Sequence, residues 1–422
     1  MHRLWLSVLF VLLFVSCTST QTLERYESTY TELSQWLEDS SYPAVSTGSP
    51  GFFYDGRSWK KELLKLIDDS EESILVSTFL GNEHFSTDEI WQALKAKADS
   101  GVDVYIIIDA SSQVQEVPQS PERVKSALYM LRDMGMNVVE YNPYSISNGL
   151  FIPNLFDRDH RKYFVFDSHT VALGGININH TSLYYPDGRG HIDLMGVLES
   201  PELALLLSET FADTYNRYTP YPVELDDLFS SRVGAADSLD HTAYVFNHFY
   251  QTGSTTGELF DIFAVLPERE IWFVQGYTFL TPRLLGRIEH LEEQGVSVNV
   301  ILSENGSKAK YNKAALYNVL PLIEAGATVY LYDAPDDAFL HKKTIIADGR
   351  YVTFGSANYN FRSETLSREL NLLYDDEEIA EELMGFIKTV LLPDARVISA
   401  EEASRWRGFS YWYQHMIMQV WG

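Results

Sequence analysis

Along most of the chain the apolar positions switch between a strand rhythm and a helix rhythm. "SILVSTFL" (Ser73–Leu80) is a short apolar run, the pattern of a strand buried on both faces. "DEIWQALKAKADSG" (Asp88–Gly101) carries helical apolar spacing and a glycine stop. "VDVYIIID" (Val102–Asp109) reads as a strand, "PERVKSALYMLRDMG" (Pro121–Gly135) as a helix with Pro at its start, and "NVVEYNP" as a strand. The same order returns later. "EIWFVQGYTFL" predicts a strand, "PRLLGRIEHLEEQG" a helix ending at Gly295, and "VSVNVILSE" a strand. "AALYNVLPLIEAG" predicts a helix with a kink at Pro321 and a stop at Gly326, and "TVYLYD" a strand. Strands alternating with helices predict a layered α/β architecture. The repeated order predicts two similar domains.

The segments outside this rhythm set the boundaries. "MHRLWLSVLFVLLFVSC" opens with a basic residue and an apolar run from Leu4 to Val15. As a helix that run is roughly 18 Å long, short of the about 30 Å of a bilayer core, so residues 1–16 read as an export signal. Residues 17–50, rich in Ser, Thr and Tyr, read as a spacer with a short helix around Tyr30–Glu38. Residues 51–215 form the first domain, 216–254 a connection, 255–398 the second domain, and 399–422 an aromatic tail. The tail reads either as a helix packed on the second domain or as a segment that dips into a lipid interface.

Composition narrows the function. The chain has 422 residues, is 45% hydrophobic and carries a formal net charge of -27. Such a surface repels polyanions, and no run of Lys and Arg offers nucleic acid a stripe to bind. The single cysteine, Cys17, excludes an intrachain disulfide. It directly follows the apolar run, where "FVSC" resembles a bacterial lipobox with Phe14 in place of the usual Leu. A lipidated Cys17, plain secretion and an uncleaved anchor are the three readings, the first being preferred.

Chemistry concentrates in two stretches, "HRKYFVFDSHTVALGGIN" from His160 and "HKKTIIADGRYVTFGSAN" from His341. Both fit one template: His, any residue, Lys, four residues, Asp, six residues, Gly, two residues, Asn. Asp348–Gly349 is a hairpin signal, so each stretch predicts a strand, a turn and a return strand. That would bring Asn177 and Gly174 back to His160 and Lys162, and Asn358 and Gly355 back to His341 and Lys343. On a strand, His and Lys two apart share a face. Lys and Asn supply positive charge and a hydrogen bond to a phosphoryl oxygen, and His can attack phosphorus or protonate a leaving oxygen. One copy offers half of a two-step displacement, and two copies offer a whole one.

These stretches resemble the paired H-x-K-x4-D motifs of the phospholipase D superfamily. "SGVDVYIIID", "VVEYNP" and "GSANYNFRS" resemble its bacterial cardiolipin synthase branch. The resemblance implies two similar α/β domains, mixed sheets flanked by helices, related by a pseudo-two-fold. It also implies a phosphohistidine intermediate and no metal or other cofactor. On that pattern His160 is the nucleophile and His341 the general acid, with the reverse order open. Lys162, Lys343, Asn177, Asn358 and Ser356 would hold the phosphate. Glu369, in "SRELN", would orient the histidine of the second motif, and Asp193, in "GHIDLMG", that of the first. Asp167, Asp348, Gly174 and Gly355 would support the turns and the close backbone approaches.

Gly175 stands where Ser356 stands in the second copy, and Asn360 replaces a common Asp. Five extra residues separate Asn177 from Asp193 relative to the second copy. His169, His180 and His191 show no metal-ligand spacing. The acid-rich "DDEEIAEELMGFIK" (Asp375–Lys388) reads as a solvated helix start favoured by the helix dipole. The expected substrate is a phospholipid at a membrane surface, with nucleic acid disfavoured and one chain sufficient for one site. Rival readings are a nuclease of the same superfamily and a non-catalytic lipid-binding relative.

Overall fold

The computed structural model describes residues 33–40, 42–113, 125–144, 157–184, 188–228, 239–247, 255–306 and 309–421. The signal segment and Cys17 lie outside the described residues. Helix α1 (Leu33–Ser40) and strand β1 (Ala44–Thr47) lead into β2 (Gly51–Asp55). Then follow α2 (Gly56–Asp69), β3 (Ser73–Thr78), α3 (Phe85–Asp99), β4 (Asp103–Asp109), α4 (Leu128–Asp133) and β5 (Asn137–Tyr141). A hairpin, β6 (Tyr163–Phe166) and β7 (Thr170–Gly174), is followed by the single turn α5 (His180–Leu183), β8 (Ile192–Glu199) and α6 (Pro201–Asn216).

The second series comprises β9 (His241–Asn247), α7 (Thr255–Val265), β10 (Glu270–Gln275), α8 (Pro282–Glu293) and β11 (Ser297–Ser303). Next come α9 (Ala309–Tyr317), α10 (Val319–Glu324), β12 (Thr328–Tyr332), the hairpin β13 (Lys343–Ala347) and β14 (Tyr351–Gly355), and α11 (Phe361–Thr365). The series ends with β15 (Leu370–Asp375), α12 (Glu377–Phe386), β16 (Ala395–Val397) and α13 (Phe409–Trp421).

These strands build two mixed sheets of matching order. The first runs β2-β8-β7-β6-β3-β4-β5, with β3, β4 and β5 parallel and the other pairs antiparallel. The second repeats that order as β9-β15-β14-β13-β10-β11-β12 and adds β1 and β16 at its two edges. The part of the chain read as a spacer therefore supplies α1 and β1, and the part read as a connection supplies β9. Both strands cover what would otherwise be an open sheet edge, which is physically costly to leave unpaired.

Alternation along each strand feeds two faces. In β3, Ile74 and Val76 pack with Trp59 and Leu63 of α2 and Trp91 of α3, while Leu75 faces the other way. In β10, Ile271 and Phe273 pack with Leu259 of α7 and Leu284 of α8, while Val274 faces the other way. The two inward faces share one apolar core, in which Leu75, Val165, Leu173 and Leu194 meet Val274, Ile346, Val352 and Phe354. Phe52 and Phe354 cross this boundary edge to face, their centroids 5.2 Å apart. The pair contributes roughly 0.5–1.5 kcal/mol beyond its burial.

Local signals end the helices where the sequence places its glycines. Gly101, Gly135, Gly295 and Gly326 all adopt positive φ, a conformation that glycine takes without Cβ strain. Two expectations change. The helix expected from Pro121 has α4 as its described part, preceded by the bridge pair Lys125–Ser126, and residues 121–124 lie outside the described residues. The helix expected to kink at Pro321 breaks at Asn318 instead. The proline ring crowds the carbonyl four residues earlier, and Asn318 fills the gap by donating to Thr278 and Ala314 carbonyls and accepting from Leu280 N–H. The tail forms α13 and packs on α9, with Met418 against Ala314 and Ala315, while Phe409, Trp412 and Tyr413 stay exposed. Among the described residues no helix is long and apolar enough to cross a membrane.

Candidate active site

Each hairpin is locked at its turn. Asp167 and Ser168 in one, and Asp348 and Gly349 in the other, have positive φ. The Asp167 carboxylate accepts backbone N–H bonds from Glu71, Glu72 and Ser73, ahead of β3. Asp348 accepts from Glu268, Arg269 and Glu270, ahead of β10. These two acids tie a turn to the neighbouring strand, at the opposite end of the hairpin from the histidines.

At the other end, His160 lies before β6 and His341 before β13, so the His and Lys of each motif do not share one strand. Each lysine curls back instead. Lys162 Nζ donates to the His160 carbonyl at 2.5 Å, and Lys343 Nζ donates to the His341 carbonyl. Gly174 and Gly355 allow the close approach of the return strands, since a Cβ on either would collide with a neighbouring carbonyl, of Leu194 or Leu370.

Backbone pairing then runs between the domains. Arg158–Asp159 pairs in parallel with Ser367–Arg368, and His160 N–H donates to the Arg368 carbonyl at 3.0 Å. In the mirrored place His341 N–H donates to the Ile192 carbonyl at 2.7 Å, and Ile192 N–H to the Phe339 carbonyl at 3.0 Å. Each histidine is thereby set beside an acidic residue at the start of the other domain's strand, Glu369 just before β15 or Asp193 at the second position of β8. His160 Nδ1–H donates to both Glu369 oxygens, at 3.1 and 3.0 Å, and His341 Nδ1–H to Asp193 at 2.6 Å. This corrects the pairing expected from the sequence. Glu369 serves the histidine of the first motif and Asp193 that of the second. The physical reason is the backbone pairing across the interface, which proximity within a motif cannot reveal.

The surroundings of the two pairs differ. Glu369 also accepts from Ser356 Oγ at 2.5 Å and Ser363 Oγ at 2.6 Å, and Ser356 Oγ accepts from Leu370 N–H at 2.9 Å. Asp193 takes its own backbone partner, Leu194 N–H, at 2.9 Å and has Lys343 Nζ 3.6 Å away. A Cβ at position 175 would fall on the Asp193 carboxylate. Gly175 is therefore the residue that admits the shorter acid.

Burial and charge set the protonation of the unliganded site. Burial, reinforced by Lys162 and Lys343 against the pull of Glu369, lowers His160 to about 4. Burial and then Lys343, against Asp193, lower His341 to about 3. Burial brings Lys162 down to about 7 and Lys343 to about 8, despite the nearby carboxylates. Burial pushes Asp193 up, but Lys343 and His341 outweigh it and hold the acid at about 2. Burial likewise pushes Glu369 up, but His160 and then Lys162 outweigh it and hold this acid below its ordinary value. Both histidines are neutral near pH 7, with Nδ1–H committed to a carboxylate and Nε2 left for a substrate.

One cavity of about 630 Å³, counting its open mouth, collects both histidines with Asn177, Asn358, Glu369 and Ser363. Asn177 is oriented by Leu80 N–H, which donates to its side-chain oxygen at 3.1 Å. Asn358 Oδ1 is buried with no partner among the described residues. Lys162, Lys343 and Ser356 are buried and do not line it. His169 is on the turn side, bonded at 2.7 Å to the Asp167 carbonyl. His180 stacks near His84, and His191 lies 5.1 Å from the His341 ring, centroid to centroid. Among the described residues no cluster of His, Cys, Asp and Glu could hold a metal ion.

Several cavity residues carry no signal in the motif template. Phe79 meets His160 edge to face at 4.8 Å, and Tyr277 meets His341 at 5.4 Å. Arg362 and Tyr311 line the same cavity. The pair Tyr277 and Phe79 follows the ends of β10 and β3, so the repeated strand order was the available signal. Between the motif residues, Arg161 is buried on Asp159, while Lys342 is buried between the rings of Tyr54 and Phe386 at 4.6 and 4.3 Å.

Two facing α/β domains, each giving a His, a Lys and an Asn and lending an acid to the other, define a phospholipase D-type protein. The family described as "Cardiolipin synthase, PLD-like domain" matches residues 63–215 and 267–390, and the chain belongs to that family. It is 25% identical over 395 residues to cardiolipin synthase A of Pseudomonas putida, covering 90% of this chain and 76% of that one. It is 25% identical over 383 residues to the major cardiolipin synthase of Bacillus subtilis, covering 88% and 73%. Its fold matches the crystal structure of phosphatidylserine synthase from Haemophilus influenzae with a TM-score of 0.69 at 15% identity, over 92% of this chain and all of that one.

Proposed function

We propose that the chain transfers the phosphatidyl group of a phospholipid through a covalent bond to His160, with phosphatidylglycerol as donor and cardiolipin as product. The observation that carries this reading is the reciprocal pair of His–carboxylate contacts, His160 on Glu369 and His341 on Asp193, opening onto one cavity. The names of the relatives supply the product; phosphatidylglycerol is the donor that gives it in one phosphatidyl transfer, with glycerol as the leaving group. In the first step Nε2 of neutral His160 attacks phosphorus, and the P–O bond to the headgroup breaks. The headgroup oxygen takes the proton of His341 Nε2–H, made available because the anionic phosphodiester offsets the lysine charges that keep this ring neutral in the free site. Glu369 balances the charge gained by His160. In the second step the acceptor hydroxyl returns its proton to His341 and displaces His160. Asn177, Asn358 and the two lysines offset charge on the phosphoryl oxygens. His160 is assigned the attack because it is the more accessible ring, with side-chain exposure of 14% against 8% for His341.

Both pairs belong to one chain, so a monomer suffices. An exported location with a lipid anchor at Cys17 is part of the same proposal, supported by the N-terminal pattern alone. Mass spectrometry of the mature N-terminus tests it, a diacylglyceryl Cys17 being expected and an intact Met1 contradicting it. The activity is tested with headgroup-labelled phosphatidylglycerol. Cardiolipin and free glycerol in equal amounts are expected. Phosphatidic acid and labelled glycerol without cardiolipin would make the protein a hydrolase, and an untouched phospholipid would reject the reading.

A further inference from the structure

The cavity is flanked on two sides by elements of similar composition. On one side α5 gives Thr181 and Ser182 to the cavity, and the next two residues, Leu183 and Tyr184, face a neighbouring hollow with Lys60 and Lys61 of α2. Phe85, 60% exposed, meets Tyr184 edge to face at 4.8 Å. On the other side α9 gives Tyr311 to the cavity, and its neighbour Lys310 is exposed. Helix α13 packs along α9 and carries Phe409, 76% exposed and 5.5 Å from Trp412. Lys313, one turn after Lys310, donates to Ser410 Oγ at 3.2 Å, beside Phe409, so each rim sets exposed aromatic rings near lysine. Lys60 is compensated by Glu89 at 2.9 Å, while no ion pair engages Lys61 or Lys310 among the described residues.

We infer that the two rims together dock the protein on an anionic lipid surface, so that the cavity opens directly onto the bilayer interface. This rests on the phospholipid reading above and adds the orientation. The charge argument decides the occupant. A body of net charge -27 is repelled by an anionic bilayer from every side except one where cations gather. Exposed Phe and Trp flanking those cations suit the headgroup region, where aromatic rings are favoured. A polar protein partner would leave Phe85 and Phe409 unexplained.

The test uses the full chain with Cys17→Ser, so that an acyl anchor contributes nothing. A variant carrying Lys61→Glu, Phe85→Ser, Lys310→Glu and Phe409→Ser is compared with it. Turnover is measured on phosphatidylglycerol vesicles and on short-chain phosphatidylglycerol below its micellar concentration. Vesicle turnover at limiting lipid is expected to fall at least about thirtyfold, the loss for two lysines at an anionic surface, while short-chain turnover stays within about twofold. Added phosphatidylcholine, or 0.5 M salt, where the Debye length is about 4 Å against about 30 Å at 0.01 M, should reduce the difference between the two proteins. Equal vesicle turnover in both proteins overturns the docking surface and leaves the activity standing. Loss of self-association in the variant with vesicle turnover retained would overturn it in favour of a second copy. Failure of both proteins on both substrates would instead reject the phospholipid reading on which it rests.

Discussion

Asp193 is one methylene shorter than Glu369, and the residue opposite each acid matches its reach. The short acid comes in where a side chain at position 175 would stand, and the long acid leaves room for Ser356, whose hydroxyl it then accepts. The Gly175–Ser356 difference is thus a consequence of the acid pair. Gly175→Ala should displace the Asp193 carboxylate from His341 and lower kcat about a hundredfold, read in a steady-state assay. Ser356→Gly removes one of several bonds to Glu369 and should cost about five- to tenfold. Equal effects of the two substitutions would contradict this account. The pH dependence follows from the same groups. Below about pH 4 His160 gains a proton and loses its nucleophilic Nε2 lone pair. Above about pH 7 and 8, Lys162 and Lys343 in turn lose the charge that offsets phosphate. The kcat profile, which reports the complex in which the bound phosphodiester has let His341 take up its proton, should rise through the first limb and fall through the second. A profile flat from pH 6 to 10, with chemistry limiting, would contradict it. The His, Lys and Asn were legible because their spacing is local. Which acid serves which histidine was not, because that contact joins residues of different domains.

At the scale of elements, the hairpins and the glycine-terminated helices were legible, since each depends on a few neighbouring residues such as Asp348–Gly349 or Gly295. The four residues of β1 and the strand β9 were not. "AVST" is too short to show a period, and its stability comes from pairing with His241–Tyr244, far along the chain. The helix break at Asn318 was displaced from Pro321 for a similar reason, its partners Thr278 and Leu280 lying in another loop. The turn acids offer the sharpest test at this scale. Asp167→Ala and Asp348→Ala each strand three backbone N–H groups at the start of a central strand. Each should destabilise the protein by about 2–4 kcal/mol in denaturant unfolding, while kcat per folded molecule changes less than about threefold. A large fall in kcat at unchanged stability would move these acids into the chemistry.

For the whole molecule, the reciprocal lending of acids means that neither domain holds a working half-site. The shared core around Phe354 and the backbone pairs at His160 and His341 enforce that arrangement. Imidazole titration by NMR reports it directly. Glu369→Gln should lower the His160 pKa further, because a carboxylate that favours the charged ring is gone, and should leave His341 nearly unchanged. Asp193→Asn should do the reverse. Changes confined to the histidine of the same domain would contradict the pairing. The two-domain plan was legible in the repeated order of strands and helices. The aromatic and basic rims were not, because Lys61 meets Tyr184 across one hollow, and Lys313 of α9 meets Ser410 of α13, only after folding.

The central claim is that His160, held by an acid from the other domain, carries the phosphatidyl group. Phosphate-labelled phosphatidylglycerol, mixed rapidly with enzyme and quenched in alkaline denaturant, tests it. The expected result is label on the peptide containing His160, absent from the His160→Ala protein. Turnover of the lipid with label on the His341 peptide instead, or with no label on either histidine, would contradict the account.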